Sequence, residues 1–144
     1  VAERKHEKYI ITKAKSALTL PDFRRKLVDG AQGSIIPLIY LDSDILKGAF
    51  YVECAWFLKG RDEADNKAHT HPFDEVITFF GTDPDHPEDL CGEVEIWLED
   101  EKYILTKSCL IFVPKGMKHC PLIIRRVDRP IFHFTAGPSA RYTS

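Results

Sequence analysis

The sequence has no CxxC pair, no long apolar run and no excess of charge of either sign. Cys54, Cys91, Cys109 and Cys120 are scattered, and three of them lie in or beside apolar runs. Free cysteine in such places behaves as a small buried hydrophobe. A reduced, cytoplasmic chain is the expectation. No apolar run approaches the roughly 20 residues a helix needs to cross a bilayer, so no membrane partner is expected. The opening VAERKHEKY is charged and does not read as a secretory signal. Twenty basic residues nearly balance 22 acidic ones, for a formal charge of -2. That balance argues against a broad nucleic-acid surface. Internal repeats and low-complexity segments are also missing.

What is there is a chain of 144 residues with 44% hydrophobic and 11% aromatic content. That length suits one domain with a sizeable core, so 1–144 reads as a single unit. The segment of about 1–45 reads as an N-terminal extension, packed on the rest or at a dimer contact. Within it, Tyr9 to Thr12 is expected as an edge strand. Pro21 to Leu27 is expected as a short helix, with proline in its first turn. SIIPLIYL reads as extended, and Pro37 inside it marks an edge or a bulge.

From there the strands sharpen. GAFYVECAWFLKG (48–60) reads as one long strand, and EVITFFG (75–81) as another. TDPDHPEDLCG (82–92) reads as a loop. EVEIWLEDE alternates, with Val94, Ile96 and Leu98 on one face and Glu93, Glu95 and Trp97 on the other. YILTKSCLIFVP, PLIIRR and PIFHFTAG follow as strands. The tail PSARYTS is polar and reads as loose. Many short, turn-separated strands and hardly any helix make an all-β sandwich or barrel. Closing the sheets would hide their edges.

Chemistry concentrates in AHTHPFDE, Ala68 to Glu75. On an extended segment His69 and His71 project to one side. Glu75 can return to the same point if the chain bulges after Pro72, and Asp74 then points away. A further ligand has to come from elsewhere, and His119 in PKGMKHCPL is the best candidate. Imidazoles with one carboxylate suit a divalent transition metal: iron, manganese, zinc, nickel or cobalt. Magnesium and calcium prefer all-oxygen shells. The plainer alternative is a polar loop that happens to be rich in histidine.

AHTHPFDEVITFFG followed by FVPKGMKHCP resembles the two motifs of the cupin superfamily. His69, His71, Glu75 and Gly81 match the first motif, and Pro114, Gly116 and His119 the second. The resemblance implies a cupin-type double-stranded β-helix, or jelly-roll barrel, holding one metal on His69, His71, Glu75 and His119. It also makes a homodimer the expected assembly. Two positions depart from the pattern. Ser108 stands where a glycine is common, and Ile123 where an asparagine is common, which would make the pocket wall more apolar. Gly81 and Gly116 suit turns with positive φ, and His86 reads as a surface histidine.

The superfamily hosts many reactions, so fold does not settle function. The resemblance fits a metal-dependent enzyme acting on a small organic acid or aromatic compound, of dioxygenase, decarboxylase or isomerase type. The alternative is a barrel that binds metal or a small ligand without catalysis. Strand parity offers candidates for catalytic groups. Tyr51, Glu53 and Lys59 share one face of their strand, and Val52, Cys54 and Trp56 the other; either face could line the cavity. In the last strand, either His133 or the pair Phe132 and Phe134 enters the barrel. At most one of Arg125 and Arg126 faces inward.

Overall fold

Runs of β-branched and aromatic residues form eight strands in the computed structural model, which describes residues 4–12, 33–64 and 66–143. They are β1 (Ile35–Leu41), β2 (Tyr51–Phe57), β3 (Glu75–Phe80), β4 (Asp89–Leu98), β5 (Glu101–Lys107), β6 (Cys109–Val113), β7 (His119–Val127) and β8 (Ile131–Gly137). One sheet has the order β1-β2-β8-β3-β6, the other β5-β4-β7. Every pairing between these strands is antiparallel. The chain passes from the first sheet to the second after β3, back at β6, across again at β7 and home at β8. This alternation is the all-β double-stranded β-helix, or jelly roll.

Burial follows strand parity. On β2, Tyr51, Ala55 and Phe57 are buried, while Val52, Cys54 and Trp56 are half-buried on the other face. On β8, Ile131, His133 and Thr135 are buried, so His133 enters the barrel and Phe132 and Phe134 do not. The register explains the choice. His133 sits between Ala55 of β2 and Phe79 of β3, both inward, whereas Phe132 faces Trp56 and Phe80 outside. The core joins Phe57, Ile77, Phe79, Val94, Ile96, Leu122, Ile124 and Ile131, among others. Each such side chain contributes about 1.5–3 kcal/mol relative to exposure. A smaller cluster of Tyr40, Tyr51 and Phe73 lies apart, with Tyr142 packed against it.

Several expectations need correction. The segment 9–12 is not a strand: Glu7–Tyr9 forms one turn of 3-10 helix, closed by the Ile10 N–H on the Glu7 carbonyl at 3.0 Å. Glu7 in its first turn and Lys8 in its last suit a helical dipole. The helix expected over 21–27 lies outside the described residues. The long strand over 48–60 shrinks to β2, because a turn with Gly48 at φ 88 precedes it. The loop over 82–92 ends early, since Asp89 to Gly92 already belong to β4. Gly81 does not have positive φ; a Cβ there would lie 1.9 Å from the Asp89 carbonyl oxygen. Gly116 does adopt φ 84. Pro37 does mark an irregular edge strand, with the β1–β2 register shifting between Pro37 and Ile39.

Candidate metal centre

The donor cluster is assembled by backbone pairing. His69 precedes β3 and His119 opens β7, yet each donates its N–H to the other's carbonyl at 3.0 Å. This isolated bridge brings the two sequence motifs together. The turn before β7 is fastened to the first motif as well. The Gly116 N–H donates to the His71 carbonyl at 3.0 Å, and the Lys115 N–H to Asp74 Oδ1 at 2.8 Å. Asp74 is thereby spent on the turn at the surface, while Glu75 is buried beside the imidazoles.

Ring centroids of His69, His71 and His119 lie 4.5–4.9 Å apart. His71 Nε2 and His119 Nε2 approach Glu75 Oε1 to 3.4 and 3.2 Å. Donor atoms of His71, Glu75 and His119 all lie within 4.8 Å of one another, and so do those of His69, His119 and Cys120. Three side chains of the first group are nearly sealed, at 3%, 3% and 1% exposure. The cavity between these groups measures about 20 Å³ and is lined by His69, Glu75, His119, His133, Thr135 and Tyr142, among others. A space of that size holds one water or one ion.

Every imidazole is oriented through its other nitrogen. His69 Nδ1 faces the Lys67 carbonyl at 2.5 Å, His71 Nδ1 the Thr143 carbonyl at 2.6 Å, and His119 Nδ1 the Met117 carbonyl at 3.0 Å. A carbonyl only accepts, so each Nδ1 carries a proton and Nε2 is the ring atom turned toward the cluster. Such carbonyl anchors are what metal-binding histidines use to fix tautomer and ring angle. His71 Nε2 and His119 Nε2 are buried and make no well-formed hydrogen bond. Two Nε2 atoms without a well-formed hydrogen bond therefore face a carboxylate. A shared proton, a water or a metal ion would satisfy that arrangement. The residues present fit a metal.

Glu75 is prepared for that role. Burial pushes its carboxyl up, but the imidazoles of His119 and His71 together hold it below its ordinary value, at about 2. Burial lowers His69 below the usual imidazole value, partly opposed by its bond to the Lys67 carbonyl. The Tyr51 hydroxyl donates toward Glu75 Oε2 at 3.4 Å and also meets the Thr135 hydroxyl.

The remaining sequence candidates separate. Tyr51 is fully buried behind Glu75. Glu53 shares its parity but is half-buried, opposite Tyr40 and Thr135, and belongs to neither donor group. Lys59 is not brought to the cluster. β2 ends at Phe57, and Lys59 is exposed beyond it. His133 lies deeper, stacked at 4.9 Å on Phe79 with its Nδ1 donating to the Thr78 carbonyl at 2.8 Å. Ile123 does not line the pocket. It pairs with Glu95 on the face opposite Leu122 and Ile124. Neither Arg125, which meets Glu95 at 3.2 Å, nor Arg126, which meets Asp128, reaches the donors. His86 is an exposed loop residue 3.5 Å from Asp83. Ser108 has a task of its own. Its hydroxyl accepts from the Gly81 N–H and donates to the Pro87 carbonyl, each at 2.8 Å.

Sequence reasoning missed the tail. PSARYTS is not loose. Ser139 and Ala140 carbonyls accept from Tyr51 and Ser43 N–H groups at 2.8 and 2.9 Å, and Arg141 grips Asp44 through two nitrogens. Tyr142 reaches the cluster itself. The one available signal was an aromatic residue inside an otherwise polar end.

Strand order and sheet pairing define the fold class, a small double-stranded β-helix barrel, with the His69–His119 bridge at the edge of β7. No protein-family model matches the chain, and a comparison with curated proteins finds no match. Solved structures similar in fold include a conserved protein of unknown function from Streptococcus pyogenes. It is 17% identical with a TM-score of 0.49, over 92% of this chain and 96% of that one. An RmlC-like cupin from Shewanella frigidimarina is 19% identical with a TM-score of 0.47, over 74% and 78%. KdgF from Halomonas sp. is 16% identical with a TM-score of 0.44, over 75% and 78%.

Proposed function

We propose that the protein binds one divalent transition metal through His69, His71, Glu75 and His119 and acts as a metal-dependent enzyme on a small organic acid or aromatic compound. One observation carries the metal reading: the two buried Nε2 atoms that lack a well-formed hydrogen bond and face the Glu75 carboxylate. Iron, manganese, zinc, nickel and cobalt all suit three imidazoles and one carboxylate. An ion held there supplies Lewis acidity to whatever ligand shares it. The chain's own residues orient that centre. Carbonyls of Lys67, Met117 and Thr143 hold the rings, and Tyr51 holds the carboxylate. His133 and Glu53 are the candidates for moving a proton. His133 lines the cavity and Glu53 shares the inward face of β2.

The test is metal analysis of the purified protein, followed by turnover assays with keto acids, hydroxy acids and catechols under each metal. Turnover with at least one metal is expected. Metal-loaded protein inert toward all three classes counts against the enzyme reading. A second reading, a metal-binding barrel without catalysis, is favoured by the cavity of about 20 Å³, which fits an ion but no organic substrate. It predicts tight metal uptake and no turnover.

A homodimer belongs to the same proposal, with a second copy of the chain against the outer face of the five-stranded sheet. Ile36, Leu110 and Phe112 are exposed there at 45%, 68% and 61%, and half-buried Trp56, Phe132 and Phe134 continue the apolar face. An uncharged face of this kind complements itself. Light scattering on the eluting protein should give twice the chain mass, and Phe112→Glu should return a monomer.

A further inference from the structure

His69 stands differently from the other two imidazoles. His71 and His119 keep their Nε2 atoms unbonded, whereas His69 Nε2 lies 3.2 Å from the Tyr142 hydroxyl. His69 Nδ1 is committed to the Lys67 carbonyl, so its Nε2 can only accept, and the phenol is the donor. A nitrogen lone pair serves one partner at a time. The contact is also built rather than incidental. The Tyr142 ring packs edge-on against Tyr51 at 5.1 Å and against His71 at 4.8 Å. The residues on either side of it are tied down, Arg141 to Asp44 and the Thr143 carbonyl to His71 Nδ1. The grouping of donors agrees. His71, Glu75 and His119 form one group, and His69 is grouped instead with His119 and Cys120.

We propose that Tyr142 is a latch on the metal centre: its phenol occupies the Nε2 of His69 and must release it before that histidine can become the fourth ligand. The inference rests on the metal reading above. It makes the centre exist in two forms. With the latch closed, His71, Glu75 and His119 supply three ligands and the tail walls the cavity. With the latch open, His69 joins them and the phenol is free to donate to an oxygen of a bound carboxylate or water. Tyr142 is thus a positioning residue for His69. The exchange also couples metal loading to the wall of a cavity too small for an organic ligand.

Tyr142→Phe tests this, because it keeps the ring packing and removes only the hydroxyl. Zinc affinity is measured by competition titration, and the His69 imidazole nitrogens are followed by nitrogen-15 NMR. The variant should bind zinc about five-fold more tightly, the factor that a typical net hydrogen bond contributes. Without zinc, its His69 Nε2 signal should already have moved from the wild-type position. In the wild type that signal should move on adding zinc. Equal affinities, or zinc binding that leaves the wild-type His69 Nε2 signal unchanged, would overturn the latch while leaving the metal centre standing. Failure of the wild type to bind zinc or any other divalent transition metal would overturn both.

Discussion

The barrel has two buried regions built on the same strands, and they obey different rules. β3 carries Glu75 at one end and Ile77 and Phe79 further along; β7 opens with His119 and continues with Leu122 and Ile124. In the apolar region, any well-fitting hydrocarbon serves, and the energy is spread over many contacts. At the histidine end, each polar atom needs one particular partner, and a single loss leaves another group stranded. The difference teaches that position along a strand, not the strand itself, decides whether a residue holds the fold together or prepares a site.

Breaking the apolar side should have the largest effect. Phe79→Ala, at a side chain with no exposure, should cost about 3–5 kcal/mol in chemical denaturation. Loss under about 1 kcal/mol would show that the core is not where the two regions part ways. Glu75→Gln should act on the site. Metal affinity should fall by more than roughly 100-fold, beyond what outer-shell partners contribute. A titration showing undiminished affinity would remove Glu75 from the ligand set.

His133 sharpens the boundary, being a polar residue stacked among apolar rings. His133→Phe withdraws the donor from the Thr78 carbonyl and should cost about 1–3 kcal/mol of stability. Metal affinity should stay within about two-fold, as expected for a residue outside the ligand set. A larger fall in affinity would place His133 with the site rather than the core.

The smallest effect concerns Tyr40, in the aromatic cluster beside the site. Burial raises its phenol above the ordinary value of 10.0, helped by the charge and hydrogen bond of Asp42 and by the charge of Glu53. The folded state therefore keeps a proton that the unfolded chain gives up. This contribution is complete below pH 10.0 and is lost as pH rises above it. Thermal unfolding across that range should show a downward slope in the wild type and a shallower one in Tyr40→Phe. Parallel slopes would mean that the aromatic cluster does not hold Tyr40 neutral.

Legibility followed the range of the forces involved. Alternation is a local property, so β4 with Val94 and Ile96 inward could be read directly. The parity of β2 and β8 could not. Both faces of each are rich in apolar or aromatic residues, and only the neighbouring strands settle which face is covered. The segment 9–12 failed for the opposite reason. Tyr9, Ile10, Ile11 and Thr12 all favour strands, but among the described residues no neighbouring strand pairs with them, and a 3-10 turn takes in Tyr9. Lys59 lies exposed beyond β2, which stops at Phe57, and where pairing stops is announced by no local pattern.

His69, His71, Glu75 and His119 were named from their spacing and from a resemblance, before anything brought them together. The sequence by itself determined the candidate donors and the all-β class, because ligand chemistry and period-two alternation are written residue by residue. Tertiary structure alone decided the rest. Backbone bonds between His69 and His119 close the cluster, and the turn at Gly116 takes Asp74 away from it. The tail was decided in the same way: Tyr142 and Thr143 look like ordinary surface residues until folding sets them against His69 and His71. Contacts between residues more than 70 positions apart have no local signature, since only the closed barrel brings such distant parts of the chain into hydrogen-bonding range.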